Sequence, residues 1–180
     1  LEFRKEMNLA LGEDAHVSVN DIIVKACAMA LDKFPMFNSV FKDDHLDVAP
    51  HINVAIAIAL PEGLIVPAVL ECERKSLVQI ARETKDLGQR VRAGRLRQDE
   101  ATAGTFSVSN LGAYHVDNFA AIIVHPQSAV LAVGTVRPQP VVRDNAIVVR
   151  QMMDTTLSAD HRVSNGTDAA KFINEVKRLL

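Results

Sequence analysis

The chain has 180 residues, a length that predicts one domain with a substantial core, and its 48% hydrophobic and 23% charged residues exclude an intrinsically disordered protein. The formal net charge is −2, and no segment concentrates basic residues, so nucleic acid is not expected as a partner. No apolar run approaches the roughly 18 residues of a membrane-spanning helix, so an integral membrane protein is not expected either.

The first half of the chain is predicted to form three helices and a pair of strands. Apolar residues recur at helical spacing in the helices, whereas β-branched and small apolar residues fill the strands. Ser18 and Ser76 are of the type that caps a helix, and Asp21 stands three positions after the first of them. The turn between the strands contains Pro61 and Gly63, which is typical of a hairpin. The helices are predicted over residues 1–11, 19–33 and 77–94, and the strands over 52–60 and 64–70.

The second half is mostly strand and ends in a helix. Asp144 and Asn145 separate two β-rich runs and predict a hairpin between them. The last helix, after Asn165, carries one apolar face. Helices and mixed strands in a single chain predict an α/β fold, a two-layer sandwich of mixed β-sheet and helices. The strands are predicted over residues 105–109, 120–124, 129–136, 140–143, 146–152 and 151–157.

The two cysteines are not expected to act as nucleophiles. Cys27 lies in an apolar helical pattern, and the charges that flank Cys72 oppose formation of a thiolate. Two cysteines without metal-ligand spacing do not make a disulfide framework, a usage that suits a reducing compartment. The histidines outside the segment 158–166 have no partners at metal-ligand spacing, so no metal site is expected.

A polar cluster over residues 158–166 is the one feature that composition does not explain. It lies between a strand-like run and the last helix, and loops at strand ends are where rigid scaffolds place reactive groups. His161 is flanked by Asp160 and Arg162, two opposite charges that can pair and hold the loop in shape. These residues make His161 a candidate acid or base.

The same loop also has a purely structural interpretation, which stays open at this stage. Asn165 would cap the last helix, Asp168 would complete a capping box, and Gly166 would serve the turn. The second candidate is Ser109, which period-two alternation places at a strand end on the face opposite Phe106. Its hydroxyl could donate a hydrogen bond into a site, although small polar residues are also common at such ends.

Four motifs follow one another along the chain at well-defined separations: GLIVPAV at 63–69, TFSVSNLG at 105–112, HPQSAVLAVG at 125–134 and LSADHRVSNG at 157–166. Together they resemble the catalytic, inner-core domain of the dihydrolipoamide acyltransferases, the core subunits of 2-oxoacid dehydrogenase complexes. The resemblance covers essentially all 180 residues and is greatest to the acetyltransferases of pyruvate dehydrogenase. In two places, Asn165 and the segment 113–116, the chain departs from the commonest pattern of the family.

The resemblance implies a fold and an assembly. The fold is a chloramphenicol-acetyltransferase-like α/β sandwich over residues 1–180, with the N-terminal part of the domain missing and the lipoyl and subunit-binding domains absent. The assembly is a homotrimer, with active sites between subunits, built into a larger cubic or dodecahedral core. Decarboxylase-dehydrogenase and dihydrolipoamide dehydrogenase components would bind through the missing domains, and no nucleic acid or membrane is implied. The location implied is the prokaryotic cytoplasm, or the mitochondrial matrix in a eukaryote.

The resemblance also implies a reaction, the transfer of an acyl group, acetyl first, between the lipoyl group as dihydrolipoamide and coenzyme A. Coenzyme A is a substrate, and no metal takes part. His161 would be the general base, Ser109 of a neighbouring subunit would stabilise the oxyanion, and Asn165 would fix the local hydrogen bonds. The supporting residues implied are Asp160, Arg162 and Gly166.

Other functions stay open beside this one. A branched-chain or succinyl acyltransferase of the same family would keep the mechanism and change the substrate. A non-catalytic core scaffold would lose the base, yet His161 is present. A free-standing acetyltransferase acting on a hydroxyl or an amine would lack the motif at 105–112. A pure binding module has no sequence feature in its favour.

Overall fold

The computed structural model describes residues 1–12 and 16–180. None of the helices in these residues is long and apolar enough to cross a membrane. Short 3-10 turns occur at Pro35–Asn38, Cys72–Arg74 and Gly112–Tyr114. The helices are α1 (Glu2–Leu11), α2 (Val19–Lys33), α3 (Leu77–Arg92), α4 (Gln98–Thr102) and α5 (Gly166–Leu179). The strands are β1 (Ser39–Lys42), β2 (His45–Val48), β3 (Val54–Ile56), β4 (Ile58–Leu60), β5 (Gly63–Ile65), β6 (Ala68–Val69), β7 (Phe106–Asn110), β8 (Ala129–Val133), β9 (Arg137–Arg143), β10 (Ala146–Met152) and β11 (Thr155–Ala159).

A mixed five-stranded sheet forms the centre of the fold. Its strand order is β11-β8-β7-β3-β6. The three central strands, β8, β7 and β3, are parallel, and the outer strands β11 and β6 are antiparallel to their neighbours. Three further antiparallel pairs, β1 with β2, β4 with β5 and β9 with β10, lie outside this sheet. The mixed sheet agrees with the predicted α/β class.

The two faces of the sheet differ in chemistry because successive side chains of a strand point to opposite sides. On β7, Phe106 and Val108 belong to the hydrophobic core that α2 and α5 cover. Ser107 and Ser109 of the same strand lie on the other face, beside a cavity. The helices therefore form one layer over one face, and the second face is left to small and polar side chains.

Helix α2 is covered within the chain, as its apolar composition predicts. Residues on most of its sides are buried, and it packs against α3, α5 and β3. A capping box begins the helix, because the Ser18 hydroxyl accepts from the Asp21 N–H at 3.1 Å and the Asp21 carboxylate accepts from the Ser18 N–H at 2.7 Å. The hydroxyl of Thr84 donates to the same carboxylate at 2.5 Å and so ties α3 to the start of α2.

The predicted elements are largely confirmed, with one error and two omissions. The strand predicted over residues 120–124 is wrong: this segment is irregular, and Ile122 within it is 91% exposed. A strand forms by pairing with the backbone edge of another strand, and this segment borders the polar face of β7, where it meets side chains and no strand edge. Both predicted strands of the first hairpin are divided. The run 52–60 is divided at Ala57, whose N–H donates to the Val108 carbonyl at 3.0 Å, and the run 64–70 is divided at residues 66–67, between β5 and β6. The β1–β2 hairpin and α4 were not predicted.

Phe172 of α5 lies at the centre of the core. Its ring centroid is 4.9 Å from that of Phe37, 5.6 Å from that of Phe106 and 6.0 Å from that of Phe34, and the side chain is fully buried. Pairs of aromatic rings at these separations add to the stabilisation that burial alone provides. This contact joins the last helix, the sheet and the segment after α2.

Replacing Phe172 by Ala should lower the free energy of unfolding by about 3–5 kcal/mol, because the change removes buried surface and leaves a cavity. Urea denaturation at matched protein concentration measures the effect. Phe3→Ala is the control of the same chemistry: the Phe3 side chain is 68% exposed, so its loss should change the stability by no more than about 0.5 kcal/mol. Equal losses for the two variants would contradict the central position of Phe172.

Candidate active site

His161 lies in the loop that connects β11 to α5. The loop begins as a continuation of the sheet, because the Asp160 N–H donates to the Ser128 carbonyl at 2.8 Å. The Asp160 carbonyl then accepts from the N–H groups of Val163 at 2.9 Å and Ser164 at 3.1 Å, which closes a tight turn around His161. The imidazole is exposed and makes no hydrogen bond to the residues that the structure describes. Its position therefore depends on the residues on either side.

Asp160 and Arg162 form the ion pair that their charges predict. The Asp160 carboxylate accepts from Nε of Arg162 at 3.1 Å and from Nη2 at 2.7 Å, and it also accepts from the backbone N–H of Arg162 at 2.9 Å. The hydrogen bond from this guanidinium holds the pKa of the Asp160 carboxyl below its usual range. The guanidinium carbon lies 4.6 Å from the ring centroid of Phe41 in β1. The two charges thus neutralise each other beside His161.

Asn165 has the structural role that the sequence allows. Its Oδ1 accepts from the N–H groups of Thr167 at 2.8 Å and Asp168 at 3.0 Å, so it is the N-cap of α5. Asp168 donates its backbone N–H to this cap, but within the described residues its carboxylate accepts no hydrogen bond from the Asn165 N–H, so the predicted capping box is only half formed. The expectation that Gly166 serves a turn is wrong: Gly166 is the first residue of α5, and a Cβ there would meet nothing within 4 Å in the described structure.

Ser109 borders an apolar cavity on the other side of the sheet from the helices. The cavity has a volume of about 260 Å³, and its walls come from Ala57, from β5 and the residue Val66 that follows it, from the segment 119–124 and from β7 and β8. The neighbouring Ser107 is buried, and its hydroxyl donates to Oε1 of Gln127 at 2.6 Å. Ser109 is only half-buried, and within the described residues its hydroxyl has no such partner. Its hydroxyl is therefore free to donate to a group in the cavity.

The register of the sheet separates Ser109 from His161 within one chain. Ser109 pairs with Ala132 of β8, whereas Asp160 hydrogen-bonds to Ser128, four residues earlier on the same side of the sheet. Ala132 and Ser128 are four residues apart along β8, and β7 and β11 lie on opposite sides of β8, two strand spacings from each other. Together these offsets put the backbones of Ser109 and Asp160 about 16 Å apart. The imidazole of His161, beyond Asp160, lies outside hydrogen-bonding reach of this serine. Within one chain the two candidates therefore do not meet.

The cysteines are inert, as predicted. Burial raises the pKa of Cys72 to about 11 and raises the pKa of the fully buried Cys27 further. Neither thiol ionises near neutral pH. In the described ranges, 1–12 and 16–180, no group of three or more His, Cys, Asp or Glu side chains is arranged to hold a metal ion.

Sequence reasoning missed two parts of the site. One is Phe41, whose contact with Arg162 joins residues far apart in the chain; alternation of apolar and polar residues around Asp43 and Asp44 was the available signal for this hairpin. The other is the apolar wall beside Ser109, whose residues come from several segments. It is lined by Ala57, Leu64, Val66, Phe119, Ala121, Ile122, Val124 and Val130.

The whole chain matches the family model described as 2-oxoacid dehydrogenases acyltransferase (catalytic domain), over residues 1–180. Curated relatives described as the dihydrolipoyllysine-residue acetyltransferase component of the pyruvate dehydrogenase complex include those of Rickettsia bellii, 36% identical over 182 residues, and Rhizobium meliloti, 39% identical over 164. These alignments cover 100% and 91% of this chain, but only 44% and 37% of the relatives. The chain thus spans less than half of their length.

Solved structures agree with this result. The dihydrolipoamide acetyltransferase of Azotobacter vinelandii superposes with a TM-score of 0.93 at 31% identity, covering 99% of this chain and 74% of that one. Crystallographic and enzymatic work on it concerns the role of one serine, one histidine and one asparagine in its catalytic mechanism. The cubic core of a pyruvate dehydrogenase multienzyme complex superposes with a TM-score of 0.93 at 32% identity, with the same coverage.

A chloramphenicol acetyltransferase shares the fold at lower similarity. Its TM-score is 0.53 at 15% sequence identity, over 98% of this chain and 82% of that one. This agrees with the expected chloramphenicol-acetyltransferase-like sandwich and says nothing of the reaction. The family model and the Rickettsia bellii relative, by contrast, match the whole of this chain, the stretches that hold the four sequence motifs included. The chain therefore belongs to the 2-oxoacid dehydrogenase acyltransferases and corresponds to their catalytic domain.

Proposed function

We propose that this chain transfers an acyl group, acetyl first, between dihydrolipoamide and coenzyme A, and that it builds the structural core of a 2-oxoacid dehydrogenase complex. One observation carries the proposal. In the Azotobacter vinelandii acetyltransferase the serine, histidine and asparagine of the catalytic mechanism stand 52 and 4 positions apart, and Ser109, His161 and Asn165 have the same two separations here. The match of residue types and of spacing supports the same three roles in this chain.

His161 acts as the general base. A free thiol has a pKa of about 8.5, so little of coenzyme A is thiolate at neutral pH and a base beside the thiol accelerates attack. The imidazole takes the thiol proton as the sulfur bonds to the carbonyl carbon of the acyl-dihydrolipoamide thioester. When the tetrahedral intermediate collapses, the bond to the dihydrolipoamide sulfur breaks, and that sulfur receives the proton from the imidazolium. The histidine returns to its neutral form, and no acyl-enzyme is needed.

Ser109 of a neighbouring subunit stabilises the oxyanion. Its hydroxyl borders the cavity and is free to donate, whereas Ser107 on the same face already donates to Gln127. A donor fixed in place before the negative charge develops loses little energy to reorganisation, which is why such groups contribute strongly to catalysis. The apolar wall beside Ser109 suits the hydrocarbon part of an acyl-lipoamide arm.

Asn165 orients the loop that carries His161, and because its amide is neutral it adds no charge to that loop. Its Oδ1 is used in capping α5, so the amide N–H₂ is the part that remains available toward the site. Asp160 and Arg162 support the base from either side through their ion pair. They are positioning residues, because neither is needed to transfer the proton.

The assembly is proposed on two grounds. A cubic core of a pyruvate dehydrogenase complex is among the structures that this fold matches over 99% of the chain. The separation of Ser109 from His161 within one chain independently supports a site that a neighbouring copy completes, as in a trimer with sites between its subunits. The lipoyl group, the decarboxylase-dehydrogenase and the dihydrolipoamide dehydrogenase would be brought by domains outside residues 1–180.

The acyl preference can be measured directly. Acetyl-, succinyl- and isobutyryl-coenzyme A are offered in parallel with dihydrolipoamide, and the formation of the new thioester is followed. We expect acetyl transfer to be fastest. A faster reaction with another donor would keep the mechanism and replace the substrate, whereas an assembled protein that transfers none of the three would be a scaffold.

His161→Ala should lower the rate of transfer by about 10²- to 10⁴-fold, because the base is lost. Ser109→Ala should lower kcat by about 10²- to 10³-fold with little change in KM, since its hydroxyl contributes mainly in the transition state. Steady-state kinetics on proteins of unchanged particle size measure both effects. Near-normal transfer by the first variant, or a change confined to KM in the second, would contradict the assigned roles.

Mixing the two variants tests whether a site is shared between chains. Each inactive subunit keeps the residue that the other lacks, so random co-assembly of equal amounts should restore about a quarter of the sites. The control mixes the same two proteins after each has assembled alone, without exchange of subunits. Activity that stays absent after co-assembly would place both residues in the same chain's site and would contradict the register of the sheet.

Two changes at Asn165 separate its capping role from its role at the base. Asn165→Ala should lower the free energy of unfolding by about 1 kcal/mol, whereas Asn165→Asp should keep the cap and the stability. The added carboxylate should favour the protonated imidazole, so that the acidic limb of the pH profile of kcat/KM moves to higher pH. Thermal unfolding and the pH profile are the two measurements. An unchanged profile in Asn165→Asp would limit Asn165 to the cap.

A further inference from the structure

The β1–β2 hairpin contacts the loop that carries His161. The guanidinium of Arg162 lies 4.6 Å above the ring centroid of Phe41, a distance at which a cation is attracted to the face of an aromatic ring. Phe41 is half-buried on β1 and pairs across the hairpin with Leu46. The hairpin is otherwise exposed along β2. The Phe41 ring thus packs against the side chain of Arg162, the residue that follows His161.

A second link joins the same segment to the same loop. The Met36 carbonyl accepts from the Ser39 hydroxyl at 2.6 Å and from the Ser128 hydroxyl at 3.4 Å. The Ser128 carbonyl in turn accepts from the Asp160 N–H at 2.8 Å. Ser39 and Ser128 are both buried, so this connection is shielded from water. The start of β1 is therefore fixed relative to the residue that precedes His161.

The ion pair between Asp160 and Arg162 does not hold the loop by its charges alone. The Arg162 side chain is 65% exposed, and exposed ion pairs contribute little because water screens them and long side chains must be ordered. A ring under the guanidinium restricts its orientations, since the planar group stacks on aromatic faces. With Phe41 in place, the Nε and Nη2 groups of Arg162 can keep their hydrogen bonds to the Asp160 carboxylate.

We propose that Phe41 is a positioning residue for His161 and acts through Arg162 and Asp160. The proposal rests on the proposed acyl transfer, because it concerns the placement of the base for that reaction. Phe41 does not touch the reacting atoms. It fixes Arg162, Arg162 fixes the Asp160 side chain, and the turn closed by the Asp160 carbonyl sets the direction of the imidazole.

Kinetics of three variants test this role. Phe41→Leu keeps an apolar side chain and removes the ring face, and it should lower kcat by about two- to fivefold, as expected for an exposed cation–π contact, with KM unchanged. Phe41→Trp should restore kcat, because tryptophan binds cations on its face most strongly. Val48→Ala is the control on the same hairpin and should leave kcat unchanged. Equal losses in Phe41→Leu and Val48→Ala would show a general effect of the hairpin and overturn the proposal.

A double-mutant cycle asks whether the effect passes through Arg162. Arg162→Met should lower kcat, and adding Phe41→Leu to it should cause no further loss, because the ring then has no cation to hold. Losses that multiply would show that Phe41 acts by another route and would overturn the proposal.

Hydrogen exchange gives a readout that does not depend on activity. The N–H groups of Arg162, Val163 and Ser164 all donate to Asp160, and in Phe41→Leu the peptide that contains them should exchange about two- to fivefold faster. Phe41→Trp should exchange as the unmodified protein does. Unchanged exchange in Phe41→Leu overturns the proposal whether or not the protein transfers acyl groups. Faster exchange in a protein that transfers none overturns the proposed function alone.

Discussion

The packing of α2 and α5 against one face of the central sheet is the constraint on which the rest of the structure depends. Phe172 closes this core against Phe106 of β7, so the alternation of that strand is fixed. A shift of one residue would exchange the core side chains of β7 with Ser107 and Ser109. Because a buried aromatic ring cannot be exchanged for a hydroxyl without a large loss of stability, the register of β7 is secure, and with it the position of Ser109 at the cavity.

The same register has a consequence for how catalysis and assembly are related. It places Ser109 toward one end of the sheet and Asp160, which precedes His161, toward the other, with their backbones about 16 Å apart in one chain. In the proposed assembly each chain would therefore contribute half of two different sites. In the proposed enzyme the interface between subunits forms the active site as well as the core. A substitution that weakens assembly should therefore also remove activity, even if it leaves Ser109 and His161 unchanged.

The sequence was informative where structure is local and less so where it depends on distant contacts. The caps of α2 and α5 could be predicted because Ser18 and Asn165 bond to N–H groups within three residues. The segment 120–124 has the composition of a strand, but whether it pairs depends on the edges that the other strands leave free. The contact of Phe41 with Arg162 was invisible for a similar reason, since neither residue's neighbours indicate the other. The family resemblance supplied the residues of the proposed site, and the sheet register supports the proposal that they come from two chains.

The surroundings of His161 are arranged to be close to neutral. Asp160 stays ionised because the Arg162 guanidinium lowers the pKa of its carboxyl, and the pair that results carries no net charge. Asn165 adds a capping oxygen without adding a negative charge, whereas an aspartate would cap α5 equally well and favour the imidazolium. A base that must accept a proton from a thiol near neutral pH works best when it is not already protonated. The ion pair fixed over Phe41 and the neutral cap at Asn165 both hold the loop in shape while leaving the imidazole free to take that proton.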